Sequence, residues 1–379
     1  MKKITFLILL SLLIKITFAQ NTQTDSLTFS TEKGLLIFDG YLNGVKTDFA
    51  FDTGASLGLL NSDNVSDSKI EISGSKNIRD SQKNFAKIGK AKISSLNIGS
   101  HQFTNINSVV ADMSVLKCGK IYLLGGDVIN LLNWKFDFTK SMVYISKTPF
   151  QPKASMSLMP IKIIGNRHFS NLTIAGTPIE NILIDFGYTG NCTMNMADKT
   201  TKQIISKIKP TDIYLSKSFS MGVNSISVGK ETSSFYVNQV NFGEGTFDNF
   251  KINAMPNTHN KIGLFFIKKN FTEVILNNTE LKYWLQPNHV IPQKNTTFDA
   301  GFYFNDNNSI EVVSLNGAIN HTAVALKIGE SISEINNRKA NSFANRCEFS
   351  AWYLTQLKLE ELAVTKENGE KFIIKKSVY

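Results

Sequence analysis

Residues 49–60 read FAFDTGASLGLL, and residues 182–193 read ILIDFGYTGNCT. Both drive an apolar, β-prone run into an aspartate with a glycine two positions on: Asp52 and Gly54, then Asp185 and Gly187. A short apolar run ending in Asp and Gly reads as a strand entering a tight turn. A carboxylate placed there lies close to the backbone N–H groups of the turn. Finding the arrangement twice suggests that one unit has been used twice.

The flanking sequence repeats as well. The turn Asn43-Gly44 precedes Asp52, and Ala175-Gly176 precedes Asp185 with one residue more between them. Downstream, NIGSHQFTNI (97–106) aligns without gaps on NFGEGTFDNF (241–250), matching Asn97 with Asn241, Gly99 with Gly243, Phe103 with Phe247 and Asn105 with Asn249. Each copy then carries an apolar-apolar-glycine element, in LLGGDVINLLNWKFDF (123–138) and, less clearly, KIGLFFIKKNFTEVIL (261–276). A shared order of four features predicts two similar lobes, 28–150 and 155–287. Short β-branched and aromatic runs between Asn, Gly, Asp and Ser clusters make them mostly β.

Two symmetric lobes would set the two aspartates face to face. At about 3 Å both carboxyls cannot ionise, so they share one proton and polarise a water between them. One takes a proton from that water and the other gives one to a substrate carbonyl oxygen, which hydrolyses an amide directly.

Asp52-Thr53-Gly54-Ala55-Ser56, preceded by Phe49-Ala50-Phe51, resembles the active-site loop of retropepsin-like and pepsin-like aspartic proteases. Leu123-Leu124-Gly125 and, weakly, Lys261-Ile262-Gly263 resemble the second motif of that fold. The resemblance implies two acid-protease-type β-barrel lobes, with Asp52 and Asp185 as the catalytic dyad. Thr53, Gly54, Ala55, Phe186 and Gly187 would form the active-site loops. It also implies a flap hairpin over the cleft, the first near Asn84 to Lys92, and polypeptide substrates. The nucleophile is water, so neither a metal nor an organic cofactor is implied. The second copy departs from the family, which has a hydroxyl residue after each aspartate to bond across to the opposite loop. Here Phe186 and Tyr188 follow Asp185. Loss of such a bond weakens positioning by ~1 kcal/mol. The departure leaves two alternatives to a single-chain aspartic endopeptidase. One is a catalytically impaired peptide-binding protein of the same fold, and the other an enzyme active as a homodimer through Asp52.

Other motifs fare worse. Gly54 to Gly58 matches Gly-x-Ser-x-Gly, but a nucleophile elbow needs a strand-to-helix turn in an alternating β/α chain, and no amphipathic helix is expected in LLNSDNVSDS. Asp185-Phe186-Gly187 lacks the accompanying kinase motifs. The five histidines are scattered and read as surface or core residues. The three cysteines, Cys118, Cys192 and Cys347, lie far apart and read as buried thiols without a disulfide framework.

The first residues, MKKITFLILLSLLIKITFAQ, have a basic start, an apolar stretch and small residues at Thr17 and Ala19. That pattern predicts a signal peptide over 1–19 and export to the periplasm or medium. Lys15 leaves the apolar run too short for a span, so no membrane span is expected in the mature chain. The formal charge of +10 is spread over single lysines with no basic run interleaved with aromatics, which argues against nucleic acid.

A polar, Pro-containing stretch, Pro287 to Lys294, predicts a linker to a third unit over 295–379. Gly301-Phe302-Tyr303-Phe304, Gly317-Ala318 and Ala325 to Glu330 together resemble a PDZ domain. The resemblance implies a PDZ-like α/β domain whose Gly301 to Phe304 segment forms a carboxylate-binding loop for C-terminal peptide ligands, held by β-augmentation. Helical periodicity runs over Glu348 to Leu362, the helix around Phe349 to Leu357 would flank the groove, and Asn368-Gly369 would turn the last hairpin.

Overall fold

Each lobe opens on a hairpin whose turn demands left-handed backbone. Asn43 and Gly44 take φ of 47° and 83°, and Ala175 and Gly176 take 47° and 72°, the two-residue turn that matches strand twist. The flanking strands are Ile37–Leu42 with Val45–Phe51, and Arg167–Ile174 with Thr177–Asp185. The additional residue of the second copy has a visible cause: the register slips between Ser170/Ile182 and Leu172/Ile179, and Asn181 has φ of 54°. A bulge absorbs it and keeps the following side chains on their faces. The computed structural model describes residues 24–79, 85–223, 226–290, 296–316 and 326–378. The signal peptide expected at 1–19 and the Gly317 to Ala325 part of the PDZ resemblance lie outside them.

The chain is mostly β, with a closed six-stranded barrel and a second sheet. The repeat extends to pairing. The strand ending at Phe51 lies parallel to Tyr122–Leu124, and the strand ending at Asp185 lies parallel to Lys261–Gly263. Gly58–Leu60 and Cys192–Asn195 then pair antiparallel to those same short strands. Asn105 and Asn249, aligned above, both adopt left-handed φ, 58° and 52°. Between these elements each lobe extends a long hairpin, Ile72–Arg79 with Phe85–Ile98 and Tyr214–Met221 with Ile226–Val237. The expected first flap, Asn84 to Lys92, falls on the returning strand of the first hairpin, with Asn84 itself outside the described residues.

A six-stranded sheet joins the lobes. Asp25–Ser30, Met142–Ser146 and Asn133–Asp137 come from the first lobe, and Phe271–Asn277, Lys282–Pro287 and Ser157–Pro160 from the second. The seam pairs Val274 with Phe136 and Leu276 with Trp134. The first strand of this sheet begins at Asp25.

The C-terminal residues build a separate core around Phe302, Phe304, Ile310, Val312, Ile332, Phe349 and Ile374. Three expectations need correction here. The helix is Arg346–Gln356, shorter than Glu348 to Leu362, because Leu357 and Leu359 are exposed and only Phe349 is buried on it. Cys118 and Cys347 form a disulfide across a separation of 229 residues, so two of the three cysteines are not thiols; only Cys192 is free and buried. Sequence spacing cannot reveal a bridge between two folded units. A short helix, Ser62–Asp67, does follow the Gly54–Gly58 motif, but strand Gly58–Leu60 intervenes and Asn61 caps the helix, so Ser56 does not sit on a strand-to-helix elbow. The Asn368-Gly369 turn is present between Glu361–Lys366 and Lys371–Val378, with Gly369 at φ of 84°. Among the described residues no helix is long and apolar enough to cross a membrane.

Candidate active site

The two aspartate loops meet in one chain. A Cβ built on Gly54 would fall 2.5 Å from the Asp185 carboxyl carbon, and one on Gly187 would fall 2.2 Å from that of Asp52. Each turn glycine thus lies against the opposite carboxyl, and no side chain fits there. Asp52 and Asp185 lie close enough for their charges to act on each other.

The two aspartates are held differently. Asp52 Oδ1 accepts the N–H groups of Gly54 at 2.7 Å and Ala55 at 3.1 Å. Ala55 also fixes its loop to the neighbouring motif, its carbonyl accepting the Gly126 N–H at 2.8 Å. Burial and the charge on Asp185 push the Asp52 carboxyl up to about 8, against the opposing pull of the Gly54 amide and Lys261. Asp185 Oδ2 instead accepts a hydrogen bond from the Lys261 ammonium at 3.0 Å, and both side chains are buried. Burial alone would lower the Lys261 pKa, but Asp185, Tyr188 and Asp52 outweigh it and hold the amine protonated above its ordinary value. Lys261 also lies 4.3 Å from the centroid of the Tyr188 ring. The hydroxyl of Tyr188 accepts from Thr193 Oγ1 at 2.6 Å.

Half of the grip expected between the loops is present. Thr53 Oγ1 donates to the Ile184 carbonyl at 2.5 Å and accepts the Phe186 N–H at 3.2 Å. Phe186 has no hydroxyl to return the contact. Its fully buried ring packs against Phe51, Phe136 and Tyr283 at centroid distances of 5.6, 5.8 and 6.4 Å. Packing replaces one half of the grip.

Sequence reasoning missed the layer behind Thr53. His168 Nε2 bonds Asn130 Oδ1 at 2.6 Å and Nδ1 bonds the Tyr283 hydroxyl at 2.8 Å, while the His168 N–H donates to the Thr53 carbonyl at 3.4 Å. Burial lowers the His168 pKa to about 3, so the ring is neutral. With an amide oxygen at Nε2 the proton sits there, and Nδ1 accepts from Tyr283. Asn130 follows the Leu123-Leu124-Gly125 element by five residues and Tyr283 lies far downstream, and no sequence signal marked either of them. Lys261 was visible only as the weak position of the second apolar-apolar-glycine element.

The Gly301 to Phe304 segment is not a loop. Ala300–Phe304 is a strand paired with Ile310–Leu315, and Phe302 and Phe304 are buried core residues. The other edge of this strand is the one a peptide would join. The Tyr353 ring packs edge-on against Phe302 with centroids 6.1 Å apart, and Arg346 Nε already donates to the Phe304 carbonyl there at 2.9 Å. Both come from the flanking helix.

Residues 38–128 match the family model described as aspartyl protease, about a quarter of the chain and the part that holds Asp52 and Leu123 to Gly125. The match supports an aspartic protease fold. No curated protein sequence matches the chain. Among solved structures, the chain is similar to a retropepsin-like aspartic protease from Rickettsia conorii, with 23% identity over 33% of this chain and 91% of that one, at a TM-score of 0.26. Nothing below rests on that last likeness. The chain is therefore similar to aspartyl proteases over the first-lobe segment that carries its Asp-Thr-Gly loop.

Proposed function

We propose that the chain is an aspartic endopeptidase that hydrolyses peptide bonds through a water activated by Asp52 and Asp185. One observation carries this reading: each loop glycine sits against the carboxyl of the opposite loop, which brings two carboxyls from two lobes together in one chain. The attacking water loses a proton to one carboxyl while the other protonates the substrate carbonyl oxygen. The resulting diol then collapses, its nitrogen takes the proton back, and acid and amine leave with the dyad restored. Thr53 and Ala55 hold the first loop, and Phe186 with Gly187 holds the second. A facing pair within one chain leaves a homodimer with no missing carboxyl to supply. The long hairpins at Ile72–Arg79/Phe85–Ile98 and Tyr214–Met221/Ile226–Val237 are the elements that would cover a polypeptide substrate.

Export is part of the same reading. The Cys118–Cys347 disulfide supports an oxidising compartment, and the N-terminal sequence pattern agrees. For the C-terminal unit, the edge engaged at Phe304 favours structural support over capture of C-terminal peptides.

Incubating the purified chain, freed of residues 1–19, with a peptide library from pH 3 to 9 tests the proposal. Cleavage abolished by a statine-type inhibitor is expected. A library untouched at every pH, or cleaved regardless of the inhibitor, overturns it.

A further inference from the structure

Lys261 is a departure from the molecule's own symmetry. Phe51 pairs with Leu124 and Ile184 with Ile262, so the position that holds Lys261 in the second lobe holds Leu123 in the first. Leu123 packs on an apolar cluster with Leu35, Ile37 and Ala50. An ammonium at the same place costs several kcal/mol of desolvation unless it is paired. It is paired with Asp185, whereas Asp52 accepts the amides of its own loop at Gly54 and Ala55.

We propose that Lys261 is a positioning residue for the dyad: its ammonium fixes the negative charge on Asp185 and thereby makes Asp52 the carboxyl that carries the proton. The inference rests on the reading of Asp52 and Asp185 as a catalytic pair. It assigns their roles. Asp185 takes the proton from the attacking water while Asp52 gives its proton to the substrate carbonyl oxygen. As the diol collapses, Asp185 passes a proton to the leaving nitrogen and Asp52 recovers one from a diol hydroxyl. The groups facing Lys261 are Asp185, Asp52 and Tyr188, with the Cys192 thiol beyond Tyr188. Neighbouring Thr193, paired with Lys261 across the sheet, is neutral. Among the described residues, the carboxyls that act on the ammonium are the two it would sort. Because an opposite charge at this distance stabilises the ionised dyad, the singly charged pair persists to lower pH than the carboxyls alone would allow.

Three variants of the full chain test this: Lys261→Met and Lys261→Leu, which remove the charge and keep an apolar stem, and Lys261→Arg, which keeps the charge. Two readouts are taken from pH 3 to 9. The first is the carbon-13 carboxyl titration of aspartate-labelled protein, which needs no turnover. The second is kcat/KM on a fluorogenic peptide library. Both dyad steps and the acidic limb of kcat/KM should move up by roughly 1–3 pH units in the Met or Leu variant. The Arg variant should stay near wild type. A titration unmoved by loss of the charge overturns the inference, even if the protein is an active peptidase. So does a rise of kcat/KM at every pH in the Met and Leu variants, which would mean that the ammonium obstructs the water. A titration that moves in a protein that cleaves no peptide upholds the charge assignment and overturns the peptidase reading alone.

Discussion

At the scale of single residues, Asp52 is costly to fold and useful once folded. Its folded pKa is raised from an ordinary 3.8 to about 8, so the folded state binds the additional proton across that window. A raised folded pKa gives stability that is full below the unfolded value and lost as pH rises through the folded one. Asp52→Asn should therefore stabilise the protein relative to wild type increasingly between about pH 4 and pH 8, while lowering hydrolysis by about 10²–10⁴-fold. Melting curves and peptide cleavage at matched pH read both; undiminished cleavage would end the aspartic mechanism. Phe186 makes the opposite case. Its ring fills the space between the lobes beside Phe51, Phe136 and Tyr283. Phe186→Ala should cost ~3–5 kcal/mol in chemical denaturation, with cleavage falling alongside. A loss under 1 kcal/mol would show that the aromatic does not stand in for the missing half of the grip.

At the scale of elements, the aspartate loops depend on what lies behind them. Thr53 reaches Ile184 and Phe186 across the lobes, and His168, Tyr283 and Asn130 form the layer under it. His168 is neutral when folded, with its pKa lowered by burial to about 3 against 6.5 when free. Between those values the unfolded chain binds more protons, so this group's stability is present above pH 6.5 and is lost as pH falls toward 3. Wild type should lose thermal stability over that range, and His168→Gln should lose less of it. Equal acid sensitivity in the two proteins would remove His168 from the account. The loops and hairpins were legible because two-residue turns and strand-end aspartates have local signatures. The supporting layer was not, because hydrogen bonds between His168, Asn130 and Tyr283 span 115 residues or fewer of intervening chain with no periodic trace.

Across the whole molecule, the C-terminal unit is tied to both lobes. Cys347 on its helix is bonded to Cys118 of the first lobe, and Leu315 pairs with Lys217 on the hairpin of the second. Phe219 and Tyr303 meet near this junction with their rings tilted by 40° and 5.2 Å between centroids. Cutting the bridge with Cys347→Ser should destabilise the chain by ~2–5 kcal/mol, read as a fall in Tm, with the fold retained. Deleting residues 295–379 should go further, reducing stability and cleavage of short peptides together, because the second hairpin loses its neighbouring strand. If the shortened chain keeps its Tm and its short-peptide cleavage, the unit is not a support, and recruitment of partners becomes the better account.

By itself the sequence determined the repeat: paired turns, paired aspartates with their glycines, and Asn105 aligned with Asn249. Each of these is written in residue types that few backbones accept, so the pattern survives without any knowledge of contacts. Tertiary structure alone decided how the copies are used. It placed each glycine on the other lobe's carboxyl and buried Phe186 where a hydroxyl was expected. It brought Lys261 to Asp185 and Cys118 to Cys347, and it put Gly301 to Phe304 in a strand whose outer edge is taken. All of these are contacts between segments distant in the chain, and their energies depend on burial and proximity that a linear order of residues does not contain.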